Sequence, residues 1–177
     1  AARYLWSHER LHALVRQAYE ADRILGAICL APVVLARAGV VPGGEVAIWR
    51  SPQALKELER AGVRAAAQDV VCARRVITGS GPDAAERWAR AIALELAEYE
   101  PDLILVARNN ERLEEVASLA KSRGAYSATT CSTDLRDLEA ITCLAEMIHE
   151  KHQHARLLVP CGSGYARGMM RNASLNE

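Results

Sequence analysis

The sequence lacks an excess of charge of either sign. Its 22 basic and 22 acidic residues cancel over 177 positions. Nucleic acids and anionic bilayers attract clustered positive charge, so we expect neither of them as a partner. The sequence also lacks long apolar runs, because none approaches the roughly 20 residues that a membrane-spanning helix needs. It lacks a charged-then-apolar leader as well. We therefore expect a cytoplasmic protein.

The sequence also lacks paired cysteines. Five cysteines are widely separated, with no CxxC motif and no grouping with the five histidines. We therefore predict no metal site. An odd number of scattered cysteines is typical of the free thiols of a reducing compartment. The cysteines are Cys29, Cys72, Cys131, Cys143 and Cys161.

What the sequence has instead is a regular alternation of strand and helix patterns. Continuous apolar runs at 24–28 and 103–107 indicate buried strands, and further strands are predicted at 126–131 and 157–159. Helical stripes lie between them, with short connections. The pattern predicts an α/β fold of the flavodoxin or Rossmann-like kind: three layers, doubly wound, with a mostly parallel sheet and helices on both faces. The length suits one domain, residues 1–177.

Several residues mark where these elements begin and end. Ser51-Pro52 predicts the start of a helix, and Gly39 the end of another. Asp83 is predicted to cap the long helix that follows it. Two short strands, 70–72 and 76–78, are predicted to form a hairpin.

Cys29 lies where the first apolar run meets a helix-like stretch that opens Leu30-Ala31-Pro32. A side chain on such a strand-to-helix turn, a nucleophile elbow, is pushed out at the sheet edge. Amides of the following helix would favour its thiolate. Cys29 is therefore a candidate nucleophile. The alternative is a buried cysteine that serves as a small apolar residue.

Four stretches around this cysteine resemble the PfpI-like family. They read GAICLAP at 26–32, LARAG at 35–39, LKELERAG at 55–62 and ITGSGP at 77–82. The family belongs to a superfamily of cysteine peptidase-like proteins, deglycases and type 1 glutamine amidotransferase-like domains, and the resemblance covers about residues 4–98. It implies that Cys29 is the reactive residue, with the Leu30 backbone amide as an oxyanion donor.

The chain departs from this family in the partners of the cysteine. The strands that supply a nearby glutamate and a glycine-rich turn would precede residue 1, and Leu30 stands where many members have histidine. Trp49 and Arg50 follow the elbow helix in place of a histidine. His8 and His12 lie one turn apart on the first helix and are expected to face solvent. We therefore expect an incomplete site with weak or no turnover.

The second part of the chain resembles short-chain dehydrogenases/reductases. Residues 103–124, LILVARNNERLEEVASLAKSRG, are similar to that family's second strand and helix, and the likeness continues to about residue 168. It implies that Arg108 favours the 2′-phosphate of NADP and that Asp134 contacts adenine. The alternative is that both are ordinary polar residues at strand ends.

The pyrophosphate turn of that family has only a partial counterpart. Gly79 and Gly81 are the nearest glycines, but the TGxxxGxG spacing is not met and Pro82 removes an amide donor. No Tyr-x-x-x-Lys occurs, so hydride transfer lacks its proton donor. This resemblance therefore implies NADP(H) binding without catalysis.

Together the two resemblances predict a recombined or designed chimera. The domain would consist of a PfpI-like segment, 1–100, and a dehydrogenase-like βαβαβ segment, 101–177. The two resemblances themselves overlap through residues 76–98. The strands at 103, 126 and 157 are predicted to extend the first sheet. Three functions stay open: a PfpI-like cysteine nucleophile or redox-sensitive thiol needing no cofactor, an NADP(H) binder, and a scaffold without activity. If the protein is an enzyme, we expect a cysteine-dependent hydrolase or deglycase acting on a small molecule, with homo-oligomerisation open.

Overall fold

A computed structural model describes residues 2–152, 157 and 159. Helices and strands alternate along these residues, and the predicted α/β class is confirmed. The strands are β1 (Leu25–Ile28), β2 (Glu45–Val46), β3 (Arg64–Ala65), β4 (Val70–Ala73), β5 (Val76–Gly79), β6 (Asp102–Ala107) and β7 (Ser127–Ser132). The helices are α1 (Ala2–Trp6), α2 (Glu9–Glu20), α3 (Pro32–Ala38), α4 (Pro52–Arg60), α5 (Ala85–Leu96), α6 (Asn110–Ser122) and α7 (Leu138–His152).

The strands of the described residues form three sheets. β5 is the centre of the first, with β1 parallel on one side and β4 antiparallel on the other. β2 pairs with β3, and β6 pairs with β7, both in parallel. The pairing is therefore mostly parallel, as predicted, and the one antiparallel pair is the predicted hairpin.

The predicted extension of the first sheet is wrong for β6 and β7. Within residues 2–152 these two strands hydrogen-bond to each other and not to the first sheet. The segments meet through helices instead, since α5 packs on α6. Small side chains at Ala97, Ala120 and Ala125 allow this close approach. The third predicted strand, 157–159, is described only at its two end residues.

Helix boundaries follow local chemistry in most places. Pro32 starts α3 and Gly39, with φ +75°, ends it in the left-handed conformation that glycine adopts without strain. The Ser51 hydroxyl accepts a hydrogen bond from the Ala54 amide at 3.2 Å and caps α4, as predicted. The predicted cap at Asp83 is wrong. Because Pro82 begins a 3₁₀ turn, Asp83 lies inside that turn and α5 begins without a side-chain cap.

The core lies on both faces of β1 and β5. Successive residues of a strand point to opposite faces, so Ile77 packs under α5 with Trp88 while Val76 faces α3. Thr78 is buried, and its hydroxyl accepts a hydrogen bond from the Ala47 amide at 3.0 Å. This bond satisfies the buried polar group and joins the segment after β2 to the first sheet.

Candidate functional site

Cys29 forms the elbow between β1 and α3. Its φ of +64° is a left-handed conformation, which costs a residue with a Cβ about 1–2 kcal/mol. Two backbone hydrogen bonds hold it: the Cys29 amide donates to the Gly79 carbonyl and the Cys29 carbonyl accepts from the Trp49 amide, each at 3.0 Å. The predicted strand-turn-helix junction is confirmed. Strain of this kind concentrates at functional sites.

The thiol of Cys29 is free and half-buried. Among the described side chains, none hydrogen-bonds it, so no carboxylate or imidazole is placed to accept its proton. The Leu30 amide has no acceptor within the described residues, so it is free to donate to a group bound at the thiol. α3 has only seven residues, so its dipole adds little to activation of the sulfur.

Gly79 and Gly81 lie beside this elbow and make room for tryptophan rings. A Cβ on Gly79 would come within 3.1 Å of the Trp88 Cδ1 atom, and a Cβ on Gly81 within 2.9 Å of the Trp49 Cε3 atom. Side-chain packing thus accounts for both glycines, which the sequence had associated with a phosphate. We call Cys29, Trp49, Gly79 and Gly81 the elbow edge.

Trp49 and Arg50 occupy the region after the elbow helix, where the family resemblance would place a histidine partner for the thiol. The Trp49 side chain is 52% exposed and lies against Gly81. Arg50 is directed to the backbone beyond β3, where its Nη2 donates to the Ala66 carbonyl at 2.6 Å. Neither side chain can accept a proton from Cys29, so the elbow edge is bounded by an aromatic surface.

The prediction that His8 and His12 face solvent is wrong. His8 caps α2, because its Nδ1 accepts a hydrogen bond from the Leu11 amide at 3.2 Å. The ring of His8 also lies edge-on to Tyr4, with centroids 5.3 Å apart. The Nε2 atom of His12 is buried, and no described group hydrogen-bonds it. Sequence reasoning missed this buried imidazole nitrogen.

Arg108 and Asp134 follow β6 and β7, two parallel strands, and so lie at the same sheet edge. The Asp134 carboxylate already accepts hydrogen bonds from Arg136, at 3.0 Å from Nε and 2.6 Å from Nη2. These bonds, with a smaller contribution from Arg108, lower the pKa of Asp134 to about 2. The carboxylate is therefore engaged by a neighbour two residues away.

The residues proposed for the two ends of a dinucleotide, Gly79 and Gly81 on one side and Arg108 on the other, lie at the ends of strands of different sheets. Pyrophosphate binding uses the turn after one strand, and ribose recognition the end of the next strand in the sheet. Here the glycine turn follows β5, whose two sides are occupied by β1 and β4. β6 therefore cannot pair with β5, and Arg108 does not follow a strand adjacent to Gly79.

The described residues contain neither a membrane-spanning helix nor a cluster of metal ligands. No helix there has the length and apolar character required to cross a bilayer. Among the same residues, no three or more histidine, cysteine or acidic side chains are grouped as metal ligands would be.

Comparison with known proteins identifies two families. Residues 1–95 match the DJ-1/PfpI family, and residues 77–177 match the short chain dehydrogenase family. The chain therefore belongs to the DJ-1/PfpI family through residues 1–95 and to the short chain dehydrogenase family through residues 77–177. Both predicted resemblances are confirmed. The two matches share residues 77–95, within the predicted overlap of 76–98.

A curated relative and two solved structures also show similarity. The chain is 38% identical over 108 residues to the uncharacterized protein MJ0967 of Methanocaldococcus jannaschii, covering 61% of this chain and 48% of that protein. It thus spans about half the length of this relative. A ThiJ/PfpI domain protein from Brachyspira murdochii aligns with TM-score 0.46 and 19% identity over 50% of each chain. A DJ-1 mutant from Schizosaccharomyces pombe aligns with TM-score 0.49 and 20% identity, over 66% of this chain and 55% of that one.

Proposed function

We propose that the protein acts through the Cys29 thiol, as a nucleophile or oxidation-sensitive cysteine with weak or no turnover. The observation that carries this proposal is the left-handed backbone of Cys29, held by hydrogen bonds to Gly79 and Trp49. A cysteine serving only as a small apolar residue gains nothing from such strain. Membership of the DJ-1/PfpI family supports the same residue.

The chemistry available at the elbow edge is addition to the sulfur. A small electrophile bound by Cys29 could place a developing oxyanion at the free Leu30 amide. Release of a product also needs a group that transfers a proton, and the described residues offer none to the sulfur. Stoichiometric thiol chemistry in the cytoplasm is therefore the function we propose, with any hydrolase or deglycase turnover slow.

Oxidation by hydrogen peroxide tests this proposal. The Cys29 thiolate attacks one peroxide oxygen, the S–O bond forms as the O–O bond breaks, hydroxide leaves and the sulfenic acid Cys–SOH remains. We expect one equivalent of peroxide to oxidise Cys29 before the other cysteines, as mapped by peptide mass spectrometry. Cys29→Ser should abolish this first adduct. Cys131→Ser is the matched control, since Cys131 is also half-buried, and equal oxidation of both thiols would contradict the proposal.

NADP(H) binding without catalysis is the second candidate. Its support is the short chain dehydrogenase match over residues 77–177, together with the placing of Arg108 and Asp134 at one sheet edge. A dehydrogenase-like mode of binding is disfavoured because β5 and β6 belong to separate sheets.

Titration with NADPH distinguishes this candidate. A saturable change in NADPH fluorescence that is lost in Arg108→Gln, but kept in the control Arg112→Gln, would support it. We expect no change up to millimolar NADPH, which would remove the candidate. If the peroxide experiment also fails, the scaffold without activity is the remaining function.

A further inference from the structure

A cavity of about 450 Å³ opens between α2, α3 and α4, lined by residues separate from the elbow edge. Its walls combine two guanidinium groups, a carboxylate, an imidazole and two methyl groups. The small side chains of Ala36 and Ala61 leave the cavity open, because larger side chains at these positions would fill it. The lining residues are His12, Ala36, Arg37, Glu57, Arg60 and Ala61.

A network of ion pairs fixes the charged groups of this cavity. Arg37 donates to one Glu57 oxygen through both Nε and Nη2, and its Nη1 donates to the Trp6 carbonyl at 2.9 Å. Arg60 donates to the other Glu57 oxygen at 2.8 Å. The hydrogen bond from Arg37 is the main reason that the pKa of Glu57 is lowered. Two positive charges thus surround one negative charge.

More hydrogen-bond donors line the cavity than the network uses. A guanidinium has five N–H groups. Arg37 uses three of them in the bonds above, and Arg60 uses one. The buried Nε2 of His12 has no partner among the described residues. A buried polar atom without a partner costs free energy, and this atom belongs to a residue of the cavity wall.

We propose that this cavity binds the phosphate group of a small molecule. The remaining N–H groups of Arg37 and Arg60 come from two neighbouring helices, α3 and α4. A tetrahedral oxyanion accepts hydrogen bonds from several directions, as guanidinium groups commonly supply them. Glu57 holds both arginines in place before the ligand arrives, which reduces the ordering cost of binding. The site is independent of the function proposed for Cys29.

Inorganic phosphate is the first probe. We expect its titration at constant ionic strength and pH to shift the NMR signals of the His12 ring saturably, with matched chloride producing no such shift. A phosphate monoester, glycerol phosphate, forms the second arm. Tighter binding of the ester would identify an organic phosphate as the ligand, and tighter binding of the inorganic ion would identify free phosphate.

Two arginine variants complete the test. Arg60→Gln should weaken phosphate binding about tenfold, since it removes a charged donor. Arg112→Gln is the matched control, because Arg112 is 62% exposed against 60% for Arg60 and likewise pairs with one glutamate, Glu86. Equal weakening in both variants would show nonspecific attraction and overturn the proposal. Absence of a saturable His12 shift in the unaltered protein would overturn it without any variant.

Discussion

Replacing Trp88 with alanine is expected to lower the free energy of unfolding by about 3–5 kcal/mol. The Trp88 side chain is 6% exposed and covers one face of the first sheet, where it packs with Ile77 and Ile92. Its indole Nε1 also donates to the Ile77 carbonyl at 3.1 Å. Alanine would leave a large cavity and an unpaired buried carbonyl. Urea denaturation followed by circular dichroism measures the loss.

The absence of a side chain at Gly26 explains why we expect a large loss of stability in Trp88→Ala. A Cβ on Gly26 would lie 2.9 Å from the Trp88 Cζ2 atom, so the ring fills a space that only glycine leaves. The surrounding backbone cannot easily collapse into the space that alanine would create.

Two variants control this prediction. Trp88→Phe keeps an aromatic ring but loses the indole hydrogen bond, and we expect a loss of about 1–2 kcal/mol from the missing bond. Trp49→Ala removes a tryptophan that is 52% exposed and should cost less than either Trp88 variant. Equal losses for Trp49→Ala and Trp88→Ala would contradict the packing described for α5.

Cys29 is expected to alkylate about tenfold faster than the other cysteines at mildly acidic pH, where thiolates are scarce. The Leu30 amide, which follows Cys29 in the chain and has no acceptor within the described residues, can donate a hydrogen bond to negative charge that develops at the elbow during the reaction. Cys72 provides the contrast, since burial and, to a smaller extent, the nearby Glu95 raise its pKa. Cys143 is exposed on α7 and tests whether accessibility alone decides the rate.

Local sequence predicted the elements of this fold well, and the elbow with them. Pro32 starts α3 and Gly39 ends it through their own backbone conformations, so the bounds of this helix could be predicted from local sequence. The predicted helix cap at Asp83 was wrong because the neighbouring Pro82 begins a 3₁₀ turn that contains Asp83. Strand order is different, since the apolar run of β6 suits any buried sheet and no local pattern shows that its partner is β7.

The site was only partly predictable, because several of its residues interact across helices. The spacing that associated Gly79 and Gly81 with phosphate could not show that Trp88 and Trp49 occupy the adjacent space. For the cavity, the Glu57 and Arg60 pair three residues apart was visible in the sequence. Its contacts with α2 and α3 depend on the packing of three helices, which no local pattern encodes.

Competitive alkylation at pH 6, with each cysteine quantified by peptide mass spectrometry, tests the central claim most directly. The protein is treated with a limiting amount of iodoacetamide, and the fractions modified at Cys29, Cys72, Cys131, Cys143 and Cys161 are followed over time. The claim predicts that Cys29 is modified first, and that Cys29→Ser removes the fast phase without changing the slower ones. Equal rates at all five cysteines, or a fast phase that survives Cys29→Ser, would contradict it.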